Sequence, residues 1–137
     1  IKYREKASYG EIIKFVKRVR ENKKRTLKFF KENIKLGKKI FLYGASTKGN
    51  TLLQYYGLTN KEIPFAAERT KTKWGNYTIG SGVKIISEEK ARELKPDYYL
   101  VLPWHFRQEF IRREEEFINR GGKLIFPLPK MEIYPEK

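Results

Sequence analysis

In the string "FLYGASTKGNTLLQYYG", residues 41–57, an apolar run reaches Gly44, passes Ser46, Thr47 and Lys48, and continues with helical spacing. Gly44 lets the backbone leave a strand sharply. Ser46 or Thr47 can cap the helix that follows, whose first N–H groups are left pointing outward. Such a helix start attracts anions, phosphate above all. Lys48 adds a full positive charge, and Gly49 and Asn50 are expected to keep the approach open and to supply an amide. Two familiar phosphate motifs do not fit. Ser46 stands where G-x-G-x-x-G needs its second glycine, and Asn50 replaces the lysine of the P-loop, although Gly44 and Gly49 match it. An ordinary capped strand-to-helix turn accounts for the same residues.

Four other positions carry polar or aromatic chemistry. Glu68 lies 24 positions after Gly44, close to where a dinucleotide fold places its ribose-binding carboxylate; a salt bridge to Arg69 or Lys71 is the competing use. "KWGNYTIGSG", residues 73–82, holds three glycines and two aromatics. Its Trp74 and Tyr77 could stack on a base or sugar, or cover an exposed sheet edge. His105, the only histidine, follows Trp104 in "LPWHFRQEF". Without a second histidine or a triad partner, His105 suits hydrogen bonding to a phosphate or sugar hydroxyl better than proton abstraction. It is the one candidate acid–base residue. Trp104 and Phe106 read more readily as packing.

These residues need a scaffold that gathers them. Between Ser8 and Leu36 apolar residues fall at Ile12, Val16, Val19, Leu27, Phe30 and Ile34, the spacing of one long helix. Ser8 and Glu11 have the form of a capping box, Lys23 interrupts the stripe, a break near Asn22 is possible, and Gly37 ends the helix. Strands then alternate with helices: "KIFLYG", a helix over about 47–56, "IPFAAE", an irregular stretch to Gly82, "VKIIS", "SEEKAREL", "DYYLVLP", a single helix "FRQEFIRREEEFINR", and "KLIFPLP". This predicts a Rossmann-like α/β domain, a parallel sheet of about five strands covered on both faces, preceded by a long basic N-terminal helix. Residues 1–37 form the basic helical lead-in, 38–129 the α/β core, and 130–137 a tail running irregularly over the surface. In such sheets ligands lie beyond the carboxyl ends of the strands. Gly44 to Asn50, Glu68 and Arg69, Pro103 to Arg107, and Phe126 to Pro129 would share that rim.

Composition bounds the rest. A chain of 137 residues, 39% apolar and 15% aromatic, is about one domain with one core and is far from a disordered profile. It has no apolar stretch able to cross a bilayer and no leader, so a soluble, cytoplasmic protein is expected. With no cysteine and one histidine, no metal site is expected. The net charge of +15 is concentrated in residues 1–39, where 15 Lys/Arg face 4 Glu.

Taken together, "YGASTKGNTLLQYYGL", "AAERTKTKWGNYTIGSGVKIIS" and "KPDYYLVLPWHFRQEFIRREEEFINRGGKLIFPLP" resemble the C-terminal domain of the S-adenosylmethionine-dependent sugar C-methyltransferases, which build branched deoxysugars on thymidine diphosphate carriers. The resemblance covers about residues 9–129. It implies a three-part enzyme: a zinc-binding N-terminal module, a middle module holding S-adenosylmethionine, and this Rossmann-like module, which helps bind a dTDP-linked ketosugar. In that family a proton beside the sugar ketone is removed and the enolate carbon attacks the methyl sulfonium, with the acid–base residues mainly in the middle module. The chain lacks the cysteine cluster for zinc and a segment for the methyl donor, so it is expected to bind neither and to be inactive alone. Because it begins at Ile1, it is expected to be either an excised fragment or a free-standing binding subunit.

On this reading the turn at 44–51 and Lys48 grip the diphosphate, while Glu68, Trp74 and Tyr77 touch sugar or base. Trp104 and His105 would close over the ligand. The partners are then a dTDP-sugar and the methyl-donor module, with no membrane. Two alternatives carry less of the sequence. One is nucleic-acid binding through Lys14, Lys17, Arg18, Arg20, Lys23, Lys24, Arg25 and Lys28, which has charge but no accompanying motif. The other is a nucleotide-cofactor domain, against which the absent G-x-G-x-x-G counts.

Overall fold

A computed structural model describes residues 2–136; the side chains of residues 2–8, Thr47 and Lys48 lie outside the described residues. Helix α1 spans Lys2–Lys35 without interruption. No Pro or Gly precedes Ser8, so the helix begins well before the capping box expected there. Its C-terminus closes as foreseen: Gly37 N–H donates to the Ile34 carbonyl and Lys38 N–H to that of Asn33, both at 3.0 Å, a Schellman closure. Asn22 is no break. It is buried, and its amide donates to the Pro129 carbonyl at 2.8 Å while its oxygen accepts from Met131 N–H at 3.1 Å. Lys23 keeps to the stripe by laying its ammonium 4.6 Å from the centre of the Tyr55 ring.

The alternating elements follow as β1 Ile40–Tyr43, α2 Thr47–Tyr56, β2 Phe65–Glu68, β3 Lys84–Ser87, α3 Glu88–Glu93, β4 Tyr98–Val101, α4 Arg107–Arg113, α5 Glu115–Asn119, β5 Lys123–Phe126 and β6 Glu132–Tyr134. The sheet runs β3-β2-β1-β4-β5-β6, with its first five strands parallel. Ser46 and Ser87 cap α2 and α3, each hydroxyl accepting an N–H three residues on. Alternation along each strand sends Ile40, Leu42, Ala66, Ile85, Leu100 and Ile125 to the face under α1 and α2. Phe41, Tyr43, Ala67, Ile86, Tyr99, Val101, Leu124 and Phe126 go to the face under α3, α4 and α5. Among the described residues no helix is long and apolar enough to cross a membrane.

Two expectations change. Residues 130–137 are not simply an irregular tail, because β6 pairs antiparallel to β5 through Ile125–Ile133. Prolines 127, 129 and 135 flank the strand rather than interrupt it, and Arg107 pins it by an ion pair to Glu132 at 2.6 Å and by lying over the Phe126 and Tyr134 rings. The single helix expected at 106–120 becomes a short turn, Trp104–Phe106, then α4 and α5, with a kink at Glu114. Glu114 sits on the apolar face, and its fully buried carboxylate meets Arg92 and the Tyr43 hydroxyl.

Burial, reinforced by the Glu114 carboxylate, pushes the Tyr43 and Tyr99 phenols well above their ordinary value. A group whose pKa is raised on folding stabilises the fold below its unfolded pKa and loses that contribution as pH rises. Stability is therefore expected to fall above about pH 10, where the unfolded chain's phenols ionise. Titrated by phenolate absorbance, Tyr43 and Tyr99 should stay silent until the chain unfolds. Gradual ionisation of all nine tyrosines in the folded state would contradict this.

Candidate functional site

Strand order reverses between β1 and β4, so the carboxyl ends of these strands form the crevice in which open α/β sheets place ligands. At Gly44 the chain turns with φ 92°, in the left-handed region. A β-carbon there would lie 3.1 Å from the Pro103 ring at the end of β4. Gly49 serves a different purpose from the open approach expected of it. A β-carbon on Gly49 would fall 2.5 Å from Leu102, so this first turn of α2 rests directly on the strand beside it. The floor of the crevice is thus closed by packing, and a ligand must sit above it.

Ser46 caps α2 through its hydroxyl, which accepts from Gly49 N–H at 3.1 Å. Thr47 and Lys48 occupy the first positions of α2; their side chains, and with them the ammonium expected to grip phosphate, lie outside the described residues. Asn50 is a strut rather than a free amide. Its NH2 donates to the Ile79 carbonyl and its oxygen accepts from the Ser81 hydroxyl, tying loop 73–82 to α2.

Glu68 holds the turn from below. One carboxylate oxygen accepts from Ala45 N–H at 2.8 Å, the other from Thr70 N–H at 3.2 Å, and its carbonyl accepts from the Trp74 indole at 2.7 Å. Among the described residues neither Arg69 nor Lys71 pairs with it. A carboxylate with both oxygens on backbone donors fixes loop geometry before any ligand arrives, and a sugar hydroxyl would have to share those oxygens.

Lys73 was not singled out by its sequence context, yet it reaches this turn. From a short helical turn, Lys71–Lys73, its ammonium donates to the Ala45 carbonyl at 3.3 Å. A lysine among several in "ERTKTK" carries no signal of this; only the fold of the segment after β2 brings it to the rim. Beside it, Trp74 is 40% and Tyr77 60% exposed. The loop that carries them is firmly built: Gly75 N–H donates to the Ile85 carbonyl and Ile85 N–H to the Asn76 carbonyl, each at 2.8 Å, and buried Thr78 and Ser81 bond each other. Its tip, Ile79, is the most exposed large apolar side chain among the described residues, at 83%.

On the far side of the crevice, Trp104 packs against the core beneath α4 while His105 projects into solvent. The His105 ring stands edge-on to Trp104 at 5.5 Å and 4.9 Å from Phe106. Phe106, expected to pack, is 54% exposed because the Trp104–Phe106 turn aims it off the domain. The fourth rim segment, 126–129, is tied to α1 by the bond from Asn22 to the Pro129 carbonyl. The structure therefore brings the 44–50 turn, Glu68, Lys73 and Trp74 together, with Tyr77 on the same loop and His105 at the end of β4. A cleft of about 650 Å³ lined by Arg25, Tyr98, Lys123 and Glu132 lies elsewhere, beside β6.

Compared with known proteins, residues 4–129 match a family model described as the C-methyltransferase C-terminal domain. The chain belongs to this family. Over 97 residues this C-methyltransferase C-terminal domain is 42% identical to C-methyltransferase NovU of Streptomyces niveus. That match covers 71% of the chain and 23% of the relative, so the domain corresponds to about a quarter of the relative's length.

Proposed function

We propose that this domain binds the methyl acceptor of a C-methyltransferase, a nucleotide-linked ketosugar of the thymidine diphosphate type, and orients it for methylation at a ring carbon. The observation that carries the reading is the preformed turn after β1, at the strand-order reversal of a C-methyltransferase domain, with Lys73 and two exposed aromatics beside it. The start of α2 and the Lys73 ammonium favour a diphosphate. Trp74 and Tyr77 offer faces for a base or sugar, and His105 a ring nitrogen to a hydroxyl or phosphate oxygen.

S-adenosylmethionine, held by another module of the parent enzyme, supplies the methyl group. Bound there, it would supply an electrophilic methyl group to the carbon beside the acceptor's ketone. This domain contributes by holding the acceptor carbon in line with the donor, which lowers the entropic part of the barrier. Its residues do not fit zinc, since the chain has no cysteine and one histidine, and no cluster of metal-ligating side chains occurs among the described residues.

Titration calorimetry of the chain with thymidine diphosphate tests the reading. Saturable binding is expected, weakened about fivefold by Lys73→Ala, the effect of one solvent-exposed charge contact of roughly 1 kcal/mol. Trp74→Ala should weaken it independently of salt. Binding unaffected by both substitutions, or a DNA duplex outcompeting the nucleotide at physiological salt, would overturn the assignment.

A further inference from the structure

Helix α1 descends along the sheet from its carboxyl edge to its amino edge. Near its end, Asn33 accepts from the Tyr98 hydroxyl at the start of β4, whereas Asn22 bonds Pro129 and Met131, beyond the end of β5. Everything before Asn22 therefore runs past the rim, about 30 Å of helix at 1.5 Å per residue.

This overhang is not a polar spacer. Tyr9 is 67%, Ile12 58%, Phe15 59% and Val16 39% exposed. Ile12, Val16 and Val19 continue, at steps of three and four, the face on which Thr26 and Phe30 are buried and Lys23 lies over the Tyr55 ring. The stripe that anchors α1 simply keeps going where the domain stops. Around it the charge is one-sided: residues 9–25 contain seven Lys/Arg and two Glu.

Three occupants could cover such a stripe, and the geometry separates them. A bilayer is flat, but the stripe faces the side of α1 on which the domain itself lies, so a flat surface would strike the rim first. A second copy would set the same cations against each other. A separate unit with an apolar groove and an acidic border fits the step between overhang and rim, meeting the stripe in the helix-in-groove manner and the flanking cations by charge.

We infer that the overhanging half of α1 docks into an acidic-edged apolar groove on the remaining modules of a C-methyltransferase, seating them above the rim. This rests on the proposed function, and it names the surface by which the methyl-donor side meets the acceptor side. The relative supplies the room for such a partner, since the match accounts for only 23% of its length.

The chain has no cysteine, so a single label reports cleanly. An environment-sensitive dye is placed at Ile12→Cys, with Leu36→Cys as the control at the other end of α1. Each is measured in the free chain and in a chimera where the 137 residues replace the matched segment of the Streptomyces niveus enzyme. Cooperative urea unfolding certifies that each protein is folded. The dye at position 12 should become buried only in the chimera, with amide exchange over residues 9–20 slowed at least tenfold. Val16→Glu, and separately the pair Lys17→Glu and Arg18→Glu, should reverse both effects, none of the three positions being needed for the fold.

An equally exposed position 12 in chimera and free chain overturns the inference. So does burial of the dye in the free chain by self-association, by a DNA duplex, or by vesicles of anionic phospholipid. Thymidine diphosphate binding, followed in the same samples, separates the two readings: nucleotide binding with position 12 exposed removes the docking surface alone, while burial without nucleotide binding removes the acceptor site alone.

Discussion

Replacing Arg92 with methionine should lower the unfolding free energy by about 3 kcal/mol, the lower end of the cost of stranding one partner of a buried ion pair. Glu114 has no exposed side-chain surface, and Arg92 reaches it at two points, 2.7 Å and 3.2 Å, beside a Tyr43 hydroxyl at 3.0 Å. Without the guanidinium the carboxylate keeps one neutral donor. The lower end applies because the Arg92 side chain is 41% exposed, which lets water reach part of the vacated space. The network anchors more than helices: Tyr43 is the last residue of β1, and the turn at Gly44 follows it directly. The double variant Arg92→Met with Glu114→Met should recover most of the loss, since an apolar pair replaces an ionic one at little cost, less about 1 kcal/mol for the orphaned Tyr43 hydroxyl. Urea midpoints for the single and double variants decide the matter. A single variant within 1 kcal/mol of the parent would show that the pair holds nothing.

Asn22→Leu, a change of similar size, should cost roughly 1–3 kcal/mol, chiefly by leaving the buried Met131 N–H without its partner, the Pro129 carbonyl being open to water. It should also speed amide exchange across residues 131–134, because α1 would no longer clamp the segment leading into β6. Asn22→Asp sharpens the test. It removes the amide donor and aims a carboxylate at a carbonyl, so burial and repulsion raise the folded-state pKa above that of the unfolded chain. Its deficit should then be smallest below about pH 4 and grow as pH rises. Variants at position 22 that unfold like the parent at every pH would show that α1 is held by its apolar face alone.

Local signals read well in this chain. Helix α2 occupies the expected 47–56, with Ser46 rather than Thr47 as its cap, and strands β1 to β5 lie inside the apolar runs that announced them. Their parallel direction followed from alternation with helices, because parallel neighbours need crossovers, whereas their order came only with the fold. What escaped were residues whose partners are distant in the chain. Asn22 and Pro129 are 107 positions apart, Tyr43 and Glu114 are 71, and Lys73 and Ala45 are 28. Glu114 appeared as one acid among four in "EEEF" and its surroundings, with nothing local to mark it as buried. The edge strand β6 was hidden by its flanking prolines.

The sequence by itself determined the α/β class, the capped turn after the first strand, the basic lead-in helix, and a family membership carried by strings long enough to be specific. Those properties depend on neighbours a few residues away, which a linear reading contains. The tertiary structure alone decided that Gly49 and Asn50 brace the turn, that Glu68 spends both oxygens on backbone N–H groups, that Lys73 stands at the rim, and that half of α1 overhangs it. Each is a matter of which surfaces meet when the sheet twists and closes, and free energies of contact across space leave no periodic trace along the chain.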